Sequence, residues 1–207
     1  MNLKEYRTLF ALVGIGLILI TTFAFFSTVF PYPVTAERFF VLGLLGRDKT
    51  AENYYPNDDP NIRGFEKVRW YVFVQNFMLE AQYVLVKVKV LNSTMTLPDA
   101  VACTPSPEQA IMNLSVFLTN GQSSTIPFSW YLTNYSLHGE SLIIERLVTN
   151  GISISLNVGA VNGSNFRLIF EVWYYDPAIE EFRFEWDSSF GLRCAWNQML
   201  FNVAVEQ

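Results

Sequence analysis

Charged residues are scarce in this chain of 207 residues, since Asp, Glu, Lys and Arg together make up only 16% of it. An average soluble protein has roughly 25%. No basic run occurs and the formal net charge is −5, so the positive surface that nucleic acids require is missing. Hydrophobic residues reach 51% and include 18 Phe, 10 Tyr and 5 Trp, aromatic types that favour strands. The composition therefore excludes a nucleic-acid partner and favours an aromatic-rich β-protein.

Residues that commonly perform chemistry are equally rare. The chain has one histidine, His138, and two cysteines, and it contains no CxxC or GxSxG pattern. A zinc site of Cys and His ligands needs more such residues than are present. A nucleophilic triad needs a positioned base and an oxyanion hole, and no pattern here indicates either. We therefore predict that the protein is not an enzyme and holds no metal ion or cofactor.

The two cysteines, Cys103 and Cys194, lie far apart in the sequence. In an oxidising compartment they predict one structural disulfide, and two buried free thiols are the alternative. Closing a loop of about 90 residues would contribute about 4–5 kcal/mol in the chain-entropy model.

One long uncharged run stands near the start of the chain. Residues 9–30 (LFALVGIGLILITTFAFFSTVF) carry no charge, and as a helix they would span roughly 33 Å, enough to cross a hydrocarbon core of about 30 Å. Lys4 and Arg7 precede the run, so the positive-inside rule predicts a cytoplasmic tail over residues 1–8 and an extracytoplasmic domain over residues 31–207. A cleaved signal peptide is the alternative, with a candidate cleavage site at Val34-Thr35-Ala36, but its apolar region would usually be shorter. We expect a retained single-pass anchor in the lipid bilayer of the cell membrane.

The remainder of the chain shows strand periodicity. A hydrophobic residue occupies every second position in four segments, which is typical of strands with one buried and one wet face. These segments are QYVLVKVKV, ISISLNV, FRLIFEVWYY and EEFRFEW. Turn signals such as Asn150-Gly151 and Asp176-Pro177 separate such segments, and the polar segment 47–64 is expected to be a long loop. About eight to ten short strands predict an all-β fold, an antiparallel β-sandwich that is immunoglobulin-like in the broad sense.

Two segments of the chain resemble a known group of proteins. They are ERFFVLGLLGRDKTAENYYP, which follows the Tyr-Pro exit from the uncharged run, and FRLIFEVWYYDPAIEEFRF near the end. Both are similar to segments of an archaeal family of uncharacterised membrane-anchored envelope proteins with an extracytoplasmic β-sandwich domain. The resemblance implies an archaeal surface location and a sandwich fold, and it implies no activity. One departure is that a single membrane helix is expected in this chain, where related chains can have several.

Four Asn-x-Ser/Thr sequons lie in the portion that is expected outside the cytoplasm, at Asn92, Asn113, Asn134 and Asn162. On a translocated domain each is a candidate acceptor of an N-linked glycan. We expect at least two of them to be occupied, first of all Asn113 on a polar strand face and Asn162 at a turn tip.

Aromatic residues occur in pairs on adjacent strand positions, so both faces of several strands are aromatic. One face must be core, while the other is available to a partner. The interface candidates are Trp70, Trp130, Trp173, Tyr175 and Trp186.

These features predict a non-catalytic accessory or structural subunit of a larger membrane protein complex. It would present a glycosylated β-sandwich outside the membrane, with integral membrane protein subunits as partners. The alternative is a free-standing surface protein of the cell envelope that interacts with a surface layer or with glycans.

Overall fold

The computed structural model describes residues 15–22, 25 and 37–204. The chain divides into two compact units, residues 1–36 and residues 37–207. In the first unit, residues 15–22 and 25 are helical, and the Thr21 hydroxyl donates to the carbonyls of Leu17 and Ile18. Among the described residues, no helix combines the length and the apolar character needed to cross a membrane. The predicted tail 1–8, the remainder of the predicted span 9–30 and the linker 31–36 lie outside the described residues.

The second unit is built of strands joined by turns and loops. The strands are β1 (Phe40–Leu45), β2 (Asn61–Ile62), β3 (Val68–Asn76), β4 (Gln82–Leu91), β5 (Met112–Leu118), β6 (Ser123–His138), β7 (Ser141–Thr149), β8 (Ile152–Val161), β9 (Phe166–Asp176), β10 (Glu181–Arg183), β11 (Glu185–Ser188), β12 (Gly191–Cys194) and β13 (Trp196–Val203). A 3₁₀ turn occupies Pro56–Asp58.

These strands form two main sheets that pack as a sandwich. One sheet has the order β1-β3-β6-β7-β8, and the other has the order β2-β13-β9-β4-β5, with β10 also pairing β9. Strands β11 and β12 form a separate hairpin. Pairing is antiparallel except between β13 and the short β2. The predicted all-β sandwich is therefore confirmed.

The core lies between the two sheets and is rich in aromatic rings. Along β3 every second residue is buried, and Trp70 on this strand is 1% exposed. Its ring centroid lies 5.4 Å from that of Trp130 on β6 and 6.2 Å from that of Phe170 on β9 of the opposite sheet. The inward phase of each alternating strand therefore supplies the core, as the period of two predicts.

Two segments differ from the sequence prediction. The segment 47–64, which was expected to be only a loop, contains the 3₁₀ turn and the short β2. The segment EEFRFEW, which was expected to be one strand, is divided at Phe184 into β10 and β11. Strand β10 pairs with the end of β9 from Asp176 to Tyr174, whereas β13 pairs with β9 from Glu171 onward. Because β13 takes the place beside β9, the chain must leave that edge after β10.

Candidate interaction surface

An exposed aromatic surface lies on the outer face of the β4–β9 sheet. We call it the aromatic patch, and its members are Tyr83, Leu85, Phe117, Trp173, Tyr175 and Phe182. Phe117 is 62% exposed and Tyr83 is 43% exposed, while the other members are half-buried. A single exposed aromatic residue is ordinary, but a contiguous group is typical of a surface that binds a partner.

Strand pairing brings the aromatic rings of the patch together. Tyr83 on β4 stands opposite Phe117 on β5, and Phe182 on β10 stands opposite Tyr175 on β9. Residues directly opposite each other in antiparallel strands point to the same face. The Phe182 ring centroid lies 5.7 Å from that of Tyr83 and 5.4 Å from that of Tyr175. The patch is therefore continuous across β5, β4, β9 and β10.

Trp173 is held in place by contacts on several sides. Its indole N–H donates to a carboxylate oxygen of Glu171 at 3.0 Å, and the Lys87 ammonium lies 3.4 Å from its ring centroid. The Phe184 ring centroid is 5.7 Å away. Burial, followed by the charge of Lys89, lowers the pKa of Lys87, while the charge of Glu171 acts in the opposite direction. Because these contacts fix the indole, a partner would lose little side-chain entropy in ordering it.

A buried ion pair supports this side of the patch. The Lys89 ammonium lies 2.8 Å from a Glu171 carboxylate oxygen, and their side chains are 4% and 0% exposed. The Ser106 backbone N–H donates to the same carboxylate at 2.9 Å, and Lys89 also donates to the Ser106 carbonyl. Buried charges need such partners. The cluster therefore fastens the β4–β5 loop to the outer sheet face.

The five interface candidates divide between patch and core. Trp173 and Tyr175 belong to the aromatic patch and are half-buried. Trp70, Trp130 and Trp186 are 1%, 0% and 3% exposed, so their rings pack in the core and offer no surface to a partner. Trp186 packs edge-on against Phe40 with ring centroids 5.2 Å apart.

In two of the four sequons the side-chain amide of the asparagine donates a hydrogen bond. The Asn92 amide nitrogen donates to the Gly159 carbonyl at 2.6 Å, and its oxygen accepts from Thr94 and Met95 in a tight turn. A glycan would have to be attached at that same nitrogen, which is only half-exposed. Asn92 therefore leaves less room for a sugar than an exposed position does.

The sequon at Asn134 is exposed but bonded to a neighbouring strand. The Asn134 amide nitrogen donates to one carboxylate oxygen of Glu145 at 2.6 Å, and the Ser136 hydroxyl donates to the other at 2.5 Å. One carboxylate thus holds both polar residues of the sequon. In the folded domain these bonds compete with glycan attachment.

Asn113 and Asn162 are both exposed, the first on β5 and the second in the turn between β8 and β9. Asn113 stands opposite Lys87 on β4, so it points to the same face as the aromatic patch. It lies four residues before Phe117 on the same strand, a distance of about 14 Å. A glycan on Asn113 would therefore stand at the border of the patch.

The predicted disulfide is not formed. Cys103 and Cys194 lie 3.0 Å apart, which is about 1 Å longer than an S–S bond, and both are free thiols. Cys103 is buried at a φ of 48°, and Cys194 at the end of β12 is half-buried. Burial, followed by the hydrogen bond with Cys103, raises the pKa of Cys194 to about 12. The fold nevertheless brings together two residues that are far apart in sequence.

His138 is exposed at the end of β6, opposite Ser141. Among the described residues, no three His, Cys, Asp or Glu side chains are grouped as metal ligands. The absence of enzyme activity, metal and cofactor stays a prediction.

Sequence analysis missed four members of the patch: Tyr83, Leu85, Phe117 and Phe182. A signal for Phe117 was present, because it shares the polar phase of its strand with Asn113 and Ser115. An aromatic residue on an otherwise polar strand face indicates an exposed ring. Phe182 carried no such signal, since its outward position depends on the break at Phe184.

No family model matches the chain, and no curated protein matches it either. The resemblance to the archaeal envelope family therefore stays a prediction. Among solved structures, one similar chain is the β-glucosidase from Listeria innocua in complex with gluconolactone. The TM-score is 0.33 at 11% identity, and the match covers 82% of this chain and 17% of that chain. This chain thus spans a small part of the enzyme's length, and a likeness this weak carries no argument.

Proposed function

We propose that this protein is a non-catalytic accessory subunit of a membrane protein complex and docks on its partner through the aromatic patch. The observation that supports this is the patch itself, with Phe117 62% exposed beside Tyr83 and Phe182. Aromatic residues are enriched at the centres of protein interfaces, where they bury large areas at a low cost in side-chain entropy. The partner is an integral membrane protein whose surface is apolar where it meets the patch.

A single membrane anchor is part of this proposal. It is supported by the uncharged run 9–30 and by the first unit's helical segment, where large apolar side chains are exposed. These are Ile15, Leu17, Ile18, Leu19 and Ile20, which are 56–68% exposed. Side chains of this kind favour a lipid environment over water. The β-sandwich would then lie outside the cytoplasm, and its sequons would be accessible to the glycosylation machinery.

A free-standing surface protein is the second candidate function. The observation that favours it is the exposed sequon at Asn113, which lies on the same face as the patch. A glycan there would cover apolar surface with a hydrated chain and oppose close packing of a protein partner. Docking through the patch therefore requires that Asn113 carry no glycan, whereas a free-standing surface protein can carry one there.

Replacing Phe117 by Ala tests the docking surface. Blue native electrophoresis of the native membranes should show the wild-type chain in a large assembly and Phe117→Ala as a free chain. An interface anchor contributes about 2 kcal/mol or more, which corresponds to roughly 30-fold in affinity. The fold should be unaffected, because the Phe117 ring is largely exposed.

Leu137→Ala is the matched control. Leu137 on β6 is 59% exposed and belongs to the other sheet, outside the patch. This variant should remain in the assembly. Retention of Phe117→Ala in the assembly, or equal loss of both variants, would contradict docking through the patch.

A further inference from the structure

A second apolar surface lies at the tip of the β11–β12 hairpin. Phe190 is 76% exposed and Leu192 is 46% exposed, and they stand at and just after the turn. The turn is well formed, because the Ser188 hydroxyl donates to the Gly191 carbonyl and accepts from the Phe190 backbone N–H. Two large apolar side chains are thus displayed on a structured turn, outside the aromatic patch.

The hairpin is fastened to the segment by which the chain enters the second unit. The Arg193 guanidinium lies 2.9 Å from a Glu37 carboxylate oxygen, and the Trp186 indole N–H donates to the Arg38 carbonyl at 2.9 Å. Trp186 also packs against Phe40 at the start of β1. The tip lies only about two residues beyond these contacts, or roughly 7 Å along the hairpin. The position of the hairpin tip is therefore fixed relative to Glu37.

Chain length ties residue 37 to the end of the expected membrane span. Seven peptide steps separate residue 30 from residue 37, so the two are at most about 25 Å apart. The headgroup layer adds about 5–8 Å to each side of the hydrocarbon core. The linker is therefore short enough for Phe190 and Leu192 to reach the bilayer interface.

Two further loops at this end of the sandwich also expose apolar side chains. Leu79, 47% exposed, follows Phe77, whose backbone N–H donates to the Phe39 carbonyl. Ile179, 53% exposed, lies in the turn after β9. Acidic residues adjoin both, namely Glu80 and Glu180. Their charge favours a neutral lipid surface over an anionic one.

We propose that the β11–β12 hairpin inserts Phe190 and Leu192 into the headgroup region of the bilayer that holds the anchor. The contact would orient the sandwich relative to the membrane and so direct the aromatic patch. Phe and Leu are typical apolar side chains of segments that bury one face at this depth of a bilayer. The inference rests on the anchor in the proposed function, but it does not depend on docking through the patch.

Photocrosslinking in the full-length chain tests this contact. Phe190 is replaced by p-benzoylphenylalanine, and the protein is reconstituted in vesicles of neutral phosphatidylcholine. Irradiation should give lipid adducts on the peptide that contains position 190, detected by mass spectrometry. The same replacement at Phe65 is the matched control, because Phe65 is 72% exposed and lies beyond the opposite end of β3. The Phe65 backbone N–H donates to the Leu132 carbonyl, which holds this residue at that end. Strand β3 separates the two ends by about 27 Å.

The adduct yield at position 190 should exceed that at position 65 by at least tenfold. Equal yields, or adducts of position 190 to protein only, would overturn the inference. Flotation of the same vesicles distinguishes failure of the anchor from failure of the hairpin contact. A chain that does not float with the vesicles overturns the anchor and the hairpin contact together, whereas a floating chain without lipid adducts overturns the hairpin contact alone. Docking through the patch is not involved in either outcome, since the vesicles contain no partner.

Discussion

Glu171 illustrates, at the scale of the residue, how the patch depends on groups beneath it. Its buried carboxylate accepts from Lys89, from the Ser106 backbone and from the Trp173 indole. A single acidic residue thus joins a buried ammonium, a loop and a surface ring. Because the side chains of Lys89 and Glu171 are 4% and 0% exposed, losing the charge of one leaves the charge of the other uncompensated.

Replacing Glu171 by Gln should lower the free energy of unfolding by about 3 kcal/mol, because the buried Lys89 ammonium loses its counter-charge. The midpoint of urea unfolding measures the change. Glu181→Gln, at an exposed carboxylate on β10, is the control and should alter stability by less than about 0.5 kcal/mol. Equal stabilities of the two variants would mean that the pair contributes nothing.

The direction of individual aromatic side chains was partly predictable. Trp70 has the same phase as Val68 and Val72, so the alternation along its strand indicates the core, as observed. Trp173 has the phase of Glu171 and points outward. The phase therefore distinguishes Trp173, an interface candidate, from Trp70, a core residue. Their surroundings were not predictable, since the contact of Lys87 with Trp173 depends on which strands are neighbours.

The elements themselves were largely predictable, because strands with one wet face show their period in the sequence. The division between β10 and β11 was not, since the local pattern of EEFRFEW continues without interruption. It arises because β13, which lies later in the chain, pairs with β9 at Glu171 and displaces the earlier segment. Which of two strands pairs with a given edge depends on the tertiary structure, so it cannot be predicted from a local sequence pattern.

The contact of Cys194 on β12 with Cys103 in the β4–β5 loop leads to a prediction about thiol chemistry. In the reduced protein at pH 8, iodoacetamide should alkylate Cys194 about 100-fold or more slowly than an ordinary thiol, because the thiolate is the reactive form. The reason is the pKa of Cys194, which burial and the hydrogen bond with Cys103 raise from 9.0 to about 12. The rate should increase as the pH rises toward that value. Mass spectrometry of a time course measures it.

The same protein unfolded in urea is the control, and there Cys194 should react at the ordinary rate. Rapid alkylation in the folded state would show that the thiol is not shielded. Peptides linked through Cys103 and Cys194 in a digest of unreduced protein would instead indicate that the bridge forms in the native compartment.

On the scale of the whole molecule, the candidate surface is a product of strand order. Its members come from β4, β5, β9 and β10, and β9 lies next to β4 although more than 70 residues separate them in sequence. Each segment alone shows one or two outward aromatic residues, which is common on any protein surface. Only the order of the strands turns them into one patch, and it also places the Asn113 sequon beside that patch.

Glycan occupancy at Asn113 should therefore differ between assembled and free chains. If the patch docks on a partner, chains in the large assembly should carry no glycan at Asn113, because a hydrated sugar chain about 14 Å from Phe117 would oppose packing of apolar surfaces. Asn162, in the turn between β8 and β9, lies outside the patch and serves as the internal control. Glycopeptide mapping of each band from a native gel measures both positions. A glycan on Asn113 in assembled chains would contradict docking at this face, and full occupancy of Asn113 with no assembly at all would favour the free-standing surface protein.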